Sequence, residues 1–102
     1  NMSSRNAKIP RSFLGGYAAT KAALLAFNES LYKELSEYGI KVTALVPGFV
    51  DTAMTSDLDL PRESLIQTNE FGKFLDLILS LSSSVALKEI CFEATPQVGK
   101  YP

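Results

Sequence analysis

Seven consecutive residues, Ile40-Lys41-Val42-Thr43-Ala44-Leu45-Val46, stand between Gly39 and the pair Pro47-Gly48. Their apolar side chains fall on both parities, as in a strand covered on both faces. Pro47-Gly48 ends the run. Ahead of it, residues 16–38 read as a helix. Ala18, Ala19, Ala22, Ala23 and Ala26 give high propensity, Leu24, Phe27, Leu31 and Leu35 recur at helical spacing, and Gly39 is the stop. Behind it, residues 49–66 form a longer loop whose acidic and threonine content suits exposure, with a short helix after Pro61. A second helix spans 68–81 on Phe71, Phe74, Leu75, Ile78 and Leu79, a stripe that reads as core, with Thr68 or Asn69 as its cap. A second strand spans 88–94, and Pro96 and Gly99 mark a frayed tail. Residues 1–15 are irregular, with 1–4 as the end of a strand. Helix, strand, helix, strand in alternation predicts an α/β layer with parallel strands and right-handed crossovers.

Tyr17 and Lys21 lie four apart at the start of the first helix, on one face. A free phenol holds its proton up to a pH of ~10, too tightly for efficient acid/base work at neutrality. A lysine four residues along a helix sits about 5–6 Å away. At an effective dielectric of ~20 that separation is worth about 3 kcal/mol to a phenolate. Ser4 lies thirteen residues before Tyr17. A carbonyl accepting a hydride needs a hydrogen-bond donor and then a proton; Ser4 can supply the first and Tyr17 the second. A Tyr-x-x-x-Lys alone arises by chance in about one chain in four of this composition, and the serine at a fixed interval lowers that to about three in a hundred.

A third mark follows the first strand: Val46-Pro47-Gly48-Phe49-Val50-Asp51-Thr52. Ser4, Tyr17-Ala-Ala-Thr-Lys21 and this run together resemble the C-terminal half of short-chain dehydrogenases/reductases, and are similar to its members like 3-oxoacyl carrier-protein reductase. The resemblance is strong over residues 1–56. It implies the C-terminal part of a doubly wound, parallel, Rossmann-like sheet, and NAD or NADP as cofactor. It also implies a small-molecule carbonyl/alcohol substrate and a homo-oligomer, in which the first helix pairs with its copy. By the same resemblance, Ser4 orients the substrate, Tyr17 is the general acid/base, and Lys21 tunes it and bonds the nicotinamide ribose. Pro47 and Gly48 turn the chain past the nicotinamide, Val50 offers backbone groups to the carboxamide, and Thr52 bonds the carboxamide or pyrophosphate. The family's glycine-rich phosphate loop and its residue choosing NAD or NADP have no counterpart in residues 1–102. Glu93-Ala94-Thr95-Pro96 stands where the family often has a glycine-rich end. The expectation is a C-terminal fragment of one NAD(P)-binding domain. A catalytically inactive remnant, acting as a structural or interaction piece, is the alternative.

Composition narrows the remaining classes. Ten basic and eleven acidic residues give a net charge of −1, which offers no electrostatic reason to expect nucleic acid or an anionic membrane. With no histidine and one cysteine, the usual nitrogen and sulfur ligands of zinc are essentially absent, so no metal is expected. The single cysteine, Cys91, reads as an inert buried strand residue and favours a reducing, cytoplasmic setting. No apolar run reaches membrane-spanning length. Asn28-Glu29-Ser30 is a sequon by pattern only, since it lies mid-helix. Thr52 can also be read as an N-cap, and Ser4 as a turn serine beside Ser3.

Overall fold

The computed structural model describes residues 1–97; Gly99 lies outside the described residues. Four main elements alternate: α1 (Gly15–Leu35), β1 (Ala44–Pro47), α2 (Glu70–Ser80) and β2 (Glu89–Phe92). β1 and β2 pair in parallel, from Ala44 opposite Glu89 to Pro47 opposite Phe92. On its other edge β1 receives the chain start. Met2 bridges Leu45 in parallel, the Ser3 N–H donates to the Leu45 carbonyl at 2.8 Å, and the Leu45 N–H donates to the Asn1 carbonyl at 2.9 Å. β1 is therefore central, and all four of its residues are buried. This is the parallel α/β arrangement expected from the alternation.

The strands are shorter than their apolar runs. Residues 40–43 join no ladder; the Ile40 N–H returns to the Leu35 carbonyl at 3.2 Å and the side chain is half exposed. Pairing begins only where both neighbours arrive: the Asn1 main-chain nitrogen donates to the Thr43 carbonyl, and the Ala44 N–H to the Lys88 carbonyl. A strand is defined by its partners, not by its apolar content.

α1 ends as the sequence suggests. Its last turn tightens into a 3-10 turn, Ser36–Tyr38, and Gly39 takes a left-handed φ of 71°, which glycine adopts without a side-chain clash. The covered stripe of α1 follows Ala18, Lys21, Leu25, Asn28, Tyr32 and Leu35. Phe27, expected on the apolar face, is 54% exposed. Asn28 holds the centre instead, at 2% exposure. Its Oδ1 accepts from the Asn1 Nδ2 at 2.9 Å and its Nδ2 donates to the Lys88 carbonyl at 3.1 Å. One side chain thus ties α1 to the chain start and to the entry of β2. The same burial leaves the sequon pattern at Asn28 without an accessible amide. The neighbouring Glu29 carboxyl is held below its usual range, chiefly by its bond to Lys88.

α2 packs on β2 through aromatic rings. Phe71 meets Phe92 edge-on with centroids 5.4 Å apart, and Phe74 lies 4.3 Å from the same ring. The rest of its stripe is not core in this structure: Leu75 and Leu79 are exposed, Leu79 at 83%. Asn69 occupies the N-cap position but makes no side-chain cap bond. The first turn is secured instead by Glu70 N–H to the Gln67 carbonyl and Phe71 N–H to the Thr68 carbonyl. Cys91 is exposed, contrary to the sequence reading. β2 alternates, with Glu89 and Cys91 outward and Ile90 and Phe92 half-buried, because α2 covers the Phe92 side. Among the described residues no helix is long and apolar enough to cross a membrane, and no group of three or more histidine, cysteine or acidic side chains could hold a metal ion.

A candidate active site at the carboxyl ends of the strands

The three parallel segments point their carboxyl ends the same way, and the chain leaving the first two forms the walls of a cleft of about 930 Å³. Open α/β sheets bind ligands at this end. Ser4, Tyr17, Lys21, Pro47, Gly48, Val50 and Thr52 all line this one cleft. Residues far apart in sequence are thus brought together around one cleft.

Ser4 follows the first strand segment directly and is 7% exposed. Its Oγ accepts from the Asn6 N–H at 3.2 Å, capping the 3-10 turn Arg5–Ala7. The hydroxyl finds no group to donate to among the described residues, so its hydrogen is available to a ligand. The turn-serine and site readings therefore coexist. Ser3 differs: its hydroxyl donates to the Lys21 carbonyl at 2.8 Å, which fastens the strand end to α1.

Tyr17 stands in the first turn of α1. Its phenolic oxygen makes no hydrogen bond among the described residues, while its carbonyl accepts from the Thr20 hydroxyl. The Lys21 Nζ lies 5.8 Å from the Tyr17 ring centroid and donates to the Met2 carbonyl at 3.2 Å. The helical interval delivers the ammonium to the ring, and the strand end steadies it there.

The opposite part of the motif is shaped by the loop after β1. The Gly48 N–H donates to the Phe92 carbonyl at 2.8 Å. A Cβ at Gly48 would lie 2.8 Å from the Glu93 Oε2 and 3.3 Å from the Glu93 Cα. The Glu93 side chain and backbone leave little room for a Cβ here, a reason the motif alone did not reveal. The Glu93 carboxylate is fixed in turn by Arg5, whose Nε lies 2.6 Å from Oε1 without the alignment of a hydrogen bond. We expect Gly48→Ala to cost about 1–3 kcal/mol by overpacking, read as a lower urea midpoint; an unchanged midpoint contradicts this account of Gly48.

Beyond Gly48, the Ile66 N–H donates to the Phe49 carbonyl and the Asp51 N–H to the Ile66 carbonyl, closing residues 50–66 into a loop. The Val50 carbonyl accepts from the Thr55 hydroxyl at 2.6 Å, so it is committed internally. The Val50 N–H has no partner among the described residues and remains to offer. Thr52 is exposed at the N-cap of the turn Ala53–Thr55, with its N–H donating to the Thr55 Oγ1 at 3.2 Å. Sequence reasoning did not single out Arg11, Leu14, Met54 and Leu58, which also line the cleft, and it read Phe71, another lining residue, as core. They come from loops and a helix start with no common period. The Arg11 guanidinium carbon lies 5.3 Å from the centroid of the Phe49 ring.

The family model for short chain dehydrogenases matches residues 1–63. An uncharacterised oxidoreductase of Staphylococcus epidermidis is 38% identical over 74 residues, covering 72% of this chain and 32% of the relative. The 3-oxoacyl-[acyl-carrier-protein] reductase of Chlamydia pneumoniae is 46% identical over 59 residues, 58% of this chain and 24% of the relative. Among solved structures, a betaketoacyl-[ACP] reductase from Bacteroides thetaiotaomicron aligns with a TM-score of 0.79 at 36% identity, covering 96% of this chain and 41% of that one. The chain spans about a third of the length of the first curated relatives it matches.

Proposed function

The chain belongs to the short-chain dehydrogenase family, and from that premise we propose that the whole protein interconverts a carbonyl and an alcohol by hydride transfer with NAD or NADP. One observation carries the reading. Ser4 and Tyr17, each with a hydroxyl that donates to nothing among the described residues, line one cleft with the Lys21 ammonium.

The cleft fits a nicotinamide along residues 47–52, where the Val50 N–H is uncommitted, Thr52 is exposed and Lys21 lines the same space. Bound there, the reduced nicotinamide would supply the hydride to the carbonyl carbon. The Ser4 hydroxyl donates to the carbonyl oxygen and holds it as negative charge develops. Tyr17 delivers its phenolic proton to that oxygen, completing the alcohol. Lys21 stabilises the charge left on the tyrosine oxygen, while its bond to the Met2 carbonyl keeps the ammonium in place. In the reverse direction the Tyr17 phenolate takes the alcohol proton.

The substrate class proposed is a 3-oxoacyl thioester. The likeness to two 3-oxoacyl reductases supports it, and Leu14, Phe49, Met54, Leu58 and Phe71 give the cleft an apolar lining suited to an acyl chain. The test is nicotinamide fluorescence in the full-length protein. The signal of NADH or NADPH should fall on addition of a short 3-oxoacyl thioester. No fall with either cofactor, across 3-oxoacyl thioesters, diketones and aldehydes, contradicts the proposal.

A further inference from the structure

We infer that Arg62 is a positioning residue, which holds residues 50–55 in the shape that presents the Val50 N–H and Thr52 to the cleft. The inference rests on the cofactor reading above only for what the turn is presented to.

Arg62 opens the 3-10 turn Arg62–Ser64 on the far side of the loop. Its guanidinium reaches back across it. Nη1 donates to the Thr55 carbonyl at 2.8 Å, Nη2 donates to the Thr52 carbonyl at 3.0 Å, and Nη2 also pairs with the Asp51 carboxylate. The Thr55 hydroxyl extends the network inward, donating to the Val50 carbonyl and accepting from the Thr52 N–H. One planar fork therefore fixes the chain at residues 51, 52 and 55. A lysine ammonium, a single charged point, cannot reproduce that spread of donors.

Arg62 and Asp51 do not line the cleft, whereas Val50, Thr52, Met54 and Thr55 do. The guanidinium acts from behind. The ion pair is partly exposed, at 40% and 28% for the two side chains, and such pairs add little by themselves. The bonds to the two carbonyls do the positioning. The base of the loop is closed separately by Asp51 N–H to the Ile66 carbonyl and Ile66 N–H to the Phe49 carbonyl. Loss of Arg62 should therefore loosen residues 52–55 and spare the base.

The test compares Arg62→Ala and Arg62→Lys with the parent in the full-length protein, by amide hydrogen exchange without cofactor and by steady-state kinetics. Arg62→Ala should speed exchange at Thr52 and Thr55 by about tenfold or more, and leave Asp51 and Ile66 within about twofold. It should raise the cofactor KM by about tenfold, with kcat at saturating cofactor within about threefold. Arg62→Lys should restore only part of either effect. Unchanged exchange at Thr52 and Thr55, faster exchange spread equally to Asp51 and Ile66, or a fall in kcat with an unchanged cofactor KM overturns the inference. Local loosening in a protein whose parent binds no nicotinamide supports the clamp and overturns the cofactor reading instead.

Discussion

Tyr17→Phe in the full-length protein should lower turnover by about 10²–10⁴-fold, the range a positioned general acid contributes. The substitution removes one oxygen and keeps the ring. That oxygen has no hydrogen-bond partner among the described residues, so nothing buried is left unpaired by its loss. Stability should therefore change by less than about 0.5 kcal/mol, and cofactor affinity by less than about threefold. The split is the informative part. A fall in turnover with an unshifted unfolding midpoint and near-parental cofactor binding places the effect on the proton-transfer step. Near-normal turnover removes Tyr17 from the chemistry, and with it the main role assigned to Lys21.

Asn28 should give the largest stability effects. Asn28→Ala removes both amide bonds and opens a void at the centre of the α1 contact, at a cost of about 2–3 kcal/mol. The Lys88 carbonyl keeps its bond from the Ala44 N–H, which limits the loss. Asn28→Asp is harsher at neutral pH, by about 3 kcal/mol or more. It places a carboxylate at a 2% exposed site and turns an acceptor toward the Lys88 carbonyl, which now accepts from Asn28. Burial raises the folded-state proton affinity of such a carboxyl above that in the unfolded chain. The penalty is thus full above the raised folded value and fades as pH falls to the unfolded value of ~3.9, where the protonated group donates again. Urea unfolding at pH ~7 and pH ~4 tests both signs. An Asn28→Asp protein as stable as its parent at neutral pH contradicts the role given to Asn28.

Where local rules act alone, the sequence was readable. Gly39 ends α1 because its left-handed turn needs no Cβ, and the end of the run 40–46 locates the buried central strand. The Tyr17–Lys21 interval places the ammonium by the ring because it is one helical turn. What depends on neighbours was not readable. Phe27 fits the apolar period better than Asn28, yet two hydrogen bonds, from the Asn1 side chain and to the Lys88 carbonyl, hold Asn28 inward. Cys91 sits in an apolar strand, but which face of β2 is covered depends on where α2 lies. The crowding of Gly48 comes from Glu93, forty-five residues on. Arg62 stands outside every periodic segment, and only loop closure brings it to Thr52. Phe13 is fully exposed with a left-handed φ of 67°; Pro10 and Gly15-Gly16 mark the segment as irregular, but nothing in the sequence assigns that φ to a phenylalanine.

The most direct measurement of the account is isotopic. The full-length protein is given reduced nicotinamide deuterated at both positions of its hydride-bearing carbon, together with a 3-oxoacyl thioester, and the product alcohol is examined by mass spectrometry and NMR. The account predicts deuterium on the carbon that carries the new hydroxyl. An alcohol formed without deuterium, or cofactor consumed with the label lost to solvent, would contradict hydride transfer at this cleft.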